Sequence, residues 1–217
     1  MSDFLVQDGQ TYLFQGDSIT DCGRRNADTP MGSGYALMFT EIVTALYPDR
    51  KINFINRGIS GDTTKDLIRR WDDDMVALQP DWMSILIGIN DSHRYLFNDD
   101  PNIKVSPSQF RENYDLLLQR ATTETKARIV LLEPFYICLA YDDADRTKVL
   151  DLLPEYIQVT RDMSVKYGTL LVPMHDIYQK HLALRDATSF CPEPVHPNHG
   201  GHMAMALELL RTLGAQL

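Results

Sequence analysis

The sequence contains few cysteines and no pattern that would pair them. Its 217 residues include three cysteines, Cys22, Cys138 and Cys191, which are odd in number and show no CxxC spacing. Such usage indicates neither a disulfide framework nor a zinc ribbon, and it favours a reducing compartment.

Basic residues and long apolar runs are also scarce. The 21 basic residues against 30 acidic ones give a formal net charge of -9. This balance disfavours binding of nucleic acid or of an anionic membrane, because both need clustered positive charge. No segment approaches a membrane-spanning length, and the first residues lack the pattern of a signal peptide. We therefore expect a soluble cytoplasmic protein with no nucleic-acid or membrane partner, and a small neutral or cationic substrate.

What the chain does have is a regular alternation of apolar segments. Hydrophobic residues make up 44% of the chain, which is enough for the core of one domain over residues 1–217. Short β-type runs occur at residues 11–15, 52–56, 82–87, 129–132 and 170–172. Between them, helical spacing predicts helices over residues 35–47, 64–79, 106–125, 154–167 and 177–184, and a last one from Asn198 to Gly214. The alternation predicts an α/β three-layer sandwich with a five-stranded parallel sheet.

Two further segments of the chain carry no assigned role in catalysis. Residues 93–105 form a polar stretch with interspersed aromatic residues, which we interpret as a connection. The acidic run Asp72-Asp73-Asp74 lies inside a helical pattern, so we interpret it as a solvated helix face.

A serine follows the first predicted strand, in Gly16-Asp17-Ser18-Ile19-Thr20. If a helix begins there, Ser18 lies where backbone N–H groups are unpaired and a developing anion is stabilised. Ser18 is then a candidate nucleophile, with a helix N-cap as the alternative. The junctions at Gly58 and Asn90 should lie at the same edge of the sheet, because ligand sites in such sheets form outside the carboxyl ends of the strands.

A base for Ser18 should be one of the six histidines, and His196 has the most suitable surroundings. It follows Glu193 in a proline-rich segment, so Glu193 can hold one ring nitrogen while the other faces Ser18. A hydrogen-bonded loop histidine is the alternative. The spacing of His196, His199 and His202 also suggests a metal site, but it is not the i, i+4 spacing of a helical zinc motif, so we predict no metal.

Four blocks occur in a fixed order: Gly16-Asp17-Ser18-Ile19, Asn56-Arg57-Gly58-Ile59-Ser60-Gly61, Gly88-Ile89-Asn90-Asp91 and Glu193-Pro194-Val195-His196-Pro197. Together they resemble the SGNH, or GDSL-type, hydrolase superfamily over nearly the whole chain. The resemblance implies a flavodoxin-like sandwich, no metal or cofactor, Ser18 as nucleophile and His196 as base. It also implies an oxyanion hole formed by Ser18, Gly58 and Asn90.

The blocks around Ser18, Gly58 and Asn90 are most similar to those of cytoplasmic carbohydrate acetylesterases that act on xylan fragments. The resemblance implies a serine esterase that removes short acyl groups, and acetyl above all, from an acetylated oligosaccharide or another small acyl ester. One departure is Glu193, because the family pattern has Asp at that place. Two alternatives stay open: a thioesterase or lysophospholipase for longer acyl chains, and a noncatalytic carbohydrate-binding protein. A symmetric homo-oligomer is our default expectation.

Overall fold

A parallel sheet of five strands forms the centre of the molecule. The computed structural model describes residues 4–26, 28–139 and 143–216. The strand order is β2-β1-β3-β4-β5, which is the flavodoxin-like order. The strands are β1 Thr11–Gly16, β2 Asn53–Asn56, β3 Trp82–Leu86, β4 Arg128–Leu132 and β5 Leu170–Val172. The predicted fold class is confirmed.

Helices cover both faces of the sheet. They are α1 Ser18–Asp21, α2 Tyr35–Leu46, α3 Thr64–Trp71, α4 Ile89–Phe97, α5 Pro107–Glu124, α6 Ala144–Tyr167, α7 Met174–Leu182 and α8 His199–Thr212. A π-helical turn, Asp72–Val76, continues α3, and a 3₁₀ turn, Ala187–Ser189, precedes α8. Helices α2 and α8 contact each other, whereas α3, α4, α5 and α6 form a second connected group. Right-handed crossovers place these two groups on opposite faces.

The register of the sheet determines where the site forms. Phe14 of β1 pairs with Asn56 of β2, and Gly16 pairs with Leu86 of β3. All five residues of β3 are buried, as expected for a central parallel strand covered on both faces. Because the three strands run in one direction, the segments that follow Gly16, Asn56 and Leu86 meet at one edge of the sheet.

Helix α4 occupies part of the stretch that we interpreted as a connection. Its N-cap is Gly88, whose φ of 129° turns the chain directly from β3 into the helix. Two of its buried residues, Asp91 and Ser92, are polar, so the apolar period that marks a helix in the sequence is missing here. The interpretation of residues 93–105 as a connection is therefore wrong for their first part.

Helix α6 begins ten residues earlier than predicted, because Pro154 lies inside it rather than at its start. The Asp143 side chain caps the helix by accepting the N–H groups of Asp145 and Arg146, both at 2.9 Å. Buried Val149 and Leu153 hold this first part against the molecule. Packing thus outweighs the cost of an internal proline, which is about 3 kcal/mol.

The acidic run differs from the predicted solvated face at one residue. Asp72 and Asp73 are exposed, whereas Asp74 is buried. The Asp74 carboxylate accepts a hydrogen bond from Arg70 and lies 3.5 Å from Nε of Arg57. Asp74 lies in the π-helical turn, and its contact with Arg57, which is distant in sequence, is what the sequence pattern does not reveal.

In the part of the chain that the structure describes, none of the helices combines the length and the apolar character that crossing a membrane requires. The assignment of residues 1–217 to a single domain stays a prediction.

Candidate active site

Ser18 lies at the carboxyl end of β1 as the first residue of α1. The N-cap of this helix is Asp17, whose buried carboxylate accepts the N–H of Ile19 at 3.0 Å. The alternative role of Ser18 as the N-cap is therefore wrong. The N–H of Ser18 belongs to the first turn, where helical geometry provides no carbonyl partner.

Gly16 allows the chain to turn this sharply before Ser18. A Cβ atom at Gly16 would lie 2.4 Å from the carbonyl oxygen of Leu86 and 2.4 Å from Oγ1 of Thr20. No side chain fits in that space. The glycine that closes the first strand in the sequence therefore permits α1 to start immediately after β1.

His196 reaches Ser18 from the loop before α8. Its Nε2 atom lies 2.8 Å from Oγ of Ser18, and its Nδ1 atom lies 2.5 Å from Oε1 of Glu193. The three side chains thus form a continuous hydrogen-bonded series: hydroxyl, imidazole, carboxylate. Ser18 is half-buried, and the other two side chains are exposed, so a ligand can approach the hydroxyl.

Glu193 is fixed by its own loop. Its Oε2 atom accepts the N–H of Val195 at 3.0 Å, and its Oε1 atom accepts the N–H of His196 at 2.8 Å. The longer side chain folds back over the loop and still meets the imidazole. The departure from the family aspartate is therefore compatible with contact to the histidine ring.

Asn90 lies in the first turn of α4, on the side of the site formed by β3. One N–H of its side-chain amide donates to the carbonyl oxygen of Asp62 at 3.0 Å. This bond orients the amide and leaves the second N–H for a ligand. The next residue, Asp91, is buried and accepts the N–H of Thr64 at 3.0 Å, which fixes α4 to α3. Burial raises the pKa of Asp91 to about 6.

Gly58 does not present its N–H to the site. That N–H donates to Oδ1 of Asn56 at 2.9 Å. A Cβ atom at Gly58 would lie 2.3 Å from the backbone nitrogen of Asp21. The lack of a side chain at Gly58 therefore allows β2 and α1 to approach closely. These contacts argue against the predicted role of Gly58 as an oxyanion donor.

Gly61, three residues later, has a free N–H that our reading of the sequence missed. The N–H groups of residues 57–60, 62 and 63 all donate to protein acceptors. Among the described residues, none accepts from the N–H of Gly61. Its φ of 85° lies in the region that favours glycine. Both glycines stand in one block of the sequence, and only the hydrogen-bond pattern distinguishes them.

Arg70 of α3 holds the loops around the site together. Its guanidinium donates to the carbonyl oxygens of Gly16 and Arg57, at 3.1 and 2.7 Å, and to the carboxylate of Asp62 at 2.8 Å. It also donates to Asp74. One side chain therefore connects the end of β1, the segment after β2 and the residue whose carbonyl orients Asn90.

The other two histidines of the C-terminal group lie in different environments. His202 is buried in α8, and its Nδ1 atom accepts the N–H of Tyr35 at 3.2 Å. Burial lowers the pKa of His202 to about 4. His199 is exposed at the start of α8. Among the residues that the structure describes, no group of three or more His, Cys, Asp or Glu side chains is arranged to hold a metal ion.

Known proteins resemble this chain in sequence and in fold. The model of the GDSL-like Lipase/Acylhydrolase family matches residues 14–204. The chain belongs to this family. Its members are ester hydrolases, and the matched residues extend from β1, which precedes Ser18, to beyond His196.

Individual relatives of this GDSL-like hydrolase cover almost its full length. An acetylxylan esterase of Geobacillus stearothermophilus is 33% identical over 96% of this chain and 96% of its own. A crystal structure of that esterase superposes with a TM-score of 0.88 at 31% identity, covering 98% of this chain and 97% of the other. An α/β hydrolase enzyme from the metagenome of Lake Arreo, Spain, has the same TM-score at 28% identity, with 98% of both chains covered.

Proposed function

We propose that the protein is a serine esterase that removes acetyl groups from carbohydrate hydroxyls, as in acetylated xylo-oligosaccharides. The observation that carries the proposal is the hydrogen-bonded series from Ser18 through His196 to Glu193, with distances of 2.8 and 2.5 Å. A hydroxyl, an imidazole and an orienting carboxylate in this order are the parts that acyl transfer requires.

In the first half of the reaction, Oγ of Ser18 attacks the ester carbonyl while Nε2 of His196 takes the hydroxyl proton. Glu193 holds Nδ1–H and stabilises the imidazolium that forms. When the tetrahedral intermediate collapses, the bond to the sugar oxygen breaks, and His196 gives its proton to that oxygen. The sugar leaves as an alcohol, and the acetyl group remains on Ser18.

In the second half, water takes the place of the sugar. His196 accepts a proton from the water as its oxygen attacks the acetyl carbonyl. Collapse of the second intermediate breaks the bond to Ser18, and His196 returns the proton to Oγ. Acetate is released, and the enzyme is restored without a cofactor.

The negative oxygen of both intermediates is held by three donors: the N–H groups of Ser18 and Gly61 and the free amide N–H of Asn90. The N–H of Ser18 benefits from the positive end of α1. Gly61 replaces Gly58 in this role because the N–H of Gly58 already binds Asn56. Donors that are fixed before the reaction contribute most to the stabilisation of such an oxyanion.

The relatives support the assignment of these residues and of the substrate. The G. stearothermophilus protein is described as an acetylxylan esterase and as an acetyl-xylooligosaccharide esterase. Three of its solved structures are catalytic mutants in which a serine, an aspartate or a histidine is changed to alanine. Its aspartate and histidine stand three positions apart, as do Glu193 and His196 here.

The noncatalytic alternative rested on the glutamate at position 193. The contact between Glu193 and His196 removes that reason, so we favour turnover over mere binding. We further propose that the enzyme acts in the cytoplasm, because no disulfide links Cys22, Cys138 and Cys191, which all lie among the described residues. We also propose that the protein forms a homo-oligomer.

A matched esterase assay tests the proposed function. Wild type, Ser18→Ala and the control Ser108→Ala, which changes an exposed serine of α5, are assayed on p-nitrophenyl acetate, p-nitrophenyl octanoate and acetylated xylotetraose. We expect acetate to be preferred over octanoate, acetate release from the oligosaccharide, and loss of activity only in Ser18→Ala. Full activity of Ser18→Ala would refute the serine mechanism, and preference for octanoate would favour the long-chain alternative.

A further inference from the structure

Helix α4 continues outward from the proposed oxyanion site along one face. Asn90, His93 and Phe97 are spaced by three and four residues, so their side chains lie on the same side of the helix. At the rise of an α-helix, seven residues extend over about 10 Å. This face therefore leads from the acyl site to a point that the acetyl group itself cannot reach.

A cavity of about 450 Å³ opens along this face. Its walls include His93, Phe97, Tyr136, Arg146 and Val149. The rings of His93 and Phe97 are 5.9 Å apart, and the ring of Tyr136 stands edge-on to His93 at 6.0 Å. Phe97 is 47% exposed, although it is a large apolar side chain on an ordered helix. The cavity thus presents aromatic surface to solvent beside the catalytic groups.

His93 connects this cavity to the catalytic pair. The charges of Glu193 and His196 both act on its imidazole, whereas burial lowers the pKa of His93 and keeps the ring neutral at pH 7. A neutral imidazole can both donate and accept a hydrogen bond. Within the described residues, no hydrogen-bond partner engages the ring nitrogens of His93, so both are available to a ligand.

Arg146 is also part of the wall of this cavity. It also lines an adjoining cavity of about 340 Å³, whose walls include Glu193. In residues 4–26, 28–139 and 143–216, no acceptor forms a hydrogen bond or ion pair with its guanidinium. The cavity therefore has a planar set of donors without a hydrogen-bond partner among the described residues, in a wall that also contains the carboxylates of Asp143 and Asp145.

We propose that this cavity along α4 binds the sugar rings next to the one that carries the acetyl group. The proposal rests on the proposed function and extends it, because it assigns the part of the enzyme that recognises an oligosaccharide rather than an acetyl ester. The flat C–H faces of the sugars pack on Phe97 and Tyr136, and their hydroxyls bind His93 and Arg146. The wall combines the rings of Phe97 and Tyr136 with polar and charged side chains, which include Asp143 and Asp145, so it offers both packing surface and hydrogen-bonding groups to a sugar.

A long acyl chain fits this cavity poorly. An apolar chain would leave the guanidinium of Arg146 and the imidazole of His93 without partners in a partly closed site. The ammonium of Lys148 lies 5.8 Å from the centre of the Phe97 ring and is itself exposed. A sugar can displace this ammonium into water, where it stays solvated.

The test uses the position of Phe97, which meets only sugars beyond the acetylated one. Monoacetylated xylose and monoacetylated xylotetraose are compared with wild type, Phe97→Ala, Phe97→Trp and Tyr95→Ala, and kcat/KM is measured for each. Tyr95 is the matched control, because it is an exposed aromatic residue of the same helix that points away from the cavity, towards Lys104. Thermal unfolding verifies that all variants are folded.

We expect wild type to prefer xylotetraose, and Phe97→Ala to lower the ratio of kcat/KM for xylotetraose to that for xylose by about tenfold. Phe97→Trp keeps most of the ratio, and Tyr95→Ala leaves it unchanged. An unchanged ratio in Phe97→Ala, or an equal fall in Tyr95→Ala, would overturn the proposal.

Failure of the proposed function gives a different pattern, since wild type would then release acetate from neither sugar. In that case the sugar site is tested by calorimetry, in which binding of xylotetraose to Ser18→Ala is compared with binding to the double variant Ser18→Ala/Phe97→Ala. Binding that Phe97→Ala weakens supports the sugar site. If xylotetraose does not bind to Ser18→Ala, the proposal is contradicted.

Discussion

The carboxylate of Glu193 meets the imidazole of His196 at 2.5 Å while both of its oxygens accept backbone N–H groups of the same loop. The loop therefore orients the carboxylate, and the carboxylate orients the ring. An aspartate is one methylene shorter and cannot keep all of these contacts without a shift of the backbone.

The first prediction follows from this geometry. We expect Glu193→Ala to lower kcat/KM for an acetyl ester by about 10²- to 10⁴-fold, because the imidazole loses its orientation and its counter-charge. Glu193→Asp should lose less, about tenfold, since it keeps the charge but not the full set of contacts. Steady-state kinetics on p-nitrophenyl acetate measures both. Wild-type activity of Glu193→Ala would assign the orienting role to another group.

The second prediction separates the two glycines of the segment after β2. In Gly61→Ala the nearest atom to the new Cβ is 3.9 Å away, and the φ of 85° costs about 1–2 kcal/mol. The strain shifts the N–H that we assign to the oxyanion, so we expect kcat to fall about tenfold, less than on complete removal of a donor.

Two further substitutions serve as controls for Gly61→Ala. Gly168→Ala introduces a similar strain, at a φ of 62°, in the C-cap of α6. It should lower the melting temperature but not kcat. Gly58→Ala places a Cβ against the backbone of α1 and should destabilise the fold by about 1–3 kcal/mol. If Gly61→Ala and Gly168→Ala show the same kcat, Gly61 is not an oxyanion donor.

These glycines also illustrate what the sequence can and cannot reveal. The Asn56–Gly61 block locates a junction at the carboxyl end of a strand, and the structure confirms that junction. Which N–H group faces the substrate depends on the fold of this segment: Asn56 takes the N–H of Gly58. Gly16 of β1 and Asp21 of α1, which are distant in sequence, take those of Ile59 and Ser60. Helix α4 and Asp74 were misinterpreted because their buried polar residues contact groups that are distant in sequence, Thr64 and Arg57 respectively.

Helix ends that depend on residues close together in the sequence could be predicted. Ser106 and Gln109 form a capping box at the start of α5, in agreement with the predicted helix over residues 106–125. Gly168 ends α6, and the Asn198 side chain caps α8. Each of these signals involves residues within one helical turn. Pro154 is the exception, since a proline suggests a helix start and tertiary packing extends the helix beyond it.

The third prediction concerns the pH dependence of stability at Asp17. Burial raises the pKa of Asp17 to about 7, and its Oδ2 atom has no partner among the described residues. The folded state therefore holds a proton that the unfolded state has lost, and the stability contributed by this group decreases as pH rises from about 4 to about 7.

Asp17→Asn keeps the cap to Ile19 and removes the titration. We expect its unfolding free energy to exceed that of wild type by a margin that grows as pH rises, reaching roughly 2 kcal/mol at pH 8. Urea unfolding between pH 5.5 and pH 8 measures this margin. Asp99→Asn, at an exposed carboxylate, is the control and should show no such trend. A margin that stays constant with pH would contradict the prediction.

The fourth prediction has the opposite sign, at His202. Burial lowers the pKa of His202 to about 4, so between about 6.5 and about 4 the unfolded state binds a proton that the folded state excludes. The stability contributed by this histidine is complete above pH 6.5 and is lost as the pH falls.

His202→Asn keeps an acceptor near the N–H of Tyr35 but loses the stacked contact with its ring, which has a centroid distance of 6.5 Å. The variant should be less stable than wild type at pH 8 by about 1–2 kcal/mol, and the difference should shrink towards pH 5.5, because only wild type excludes a proton there. His199→Asn, at the exposed histidine of the same helix, controls for the change of residue type. A difference that stays constant would mean that folded wild type accepts the proton at His202 without cost, and one that grows on acidification would mean that folding favours the protonated ring; either result would contradict the prediction.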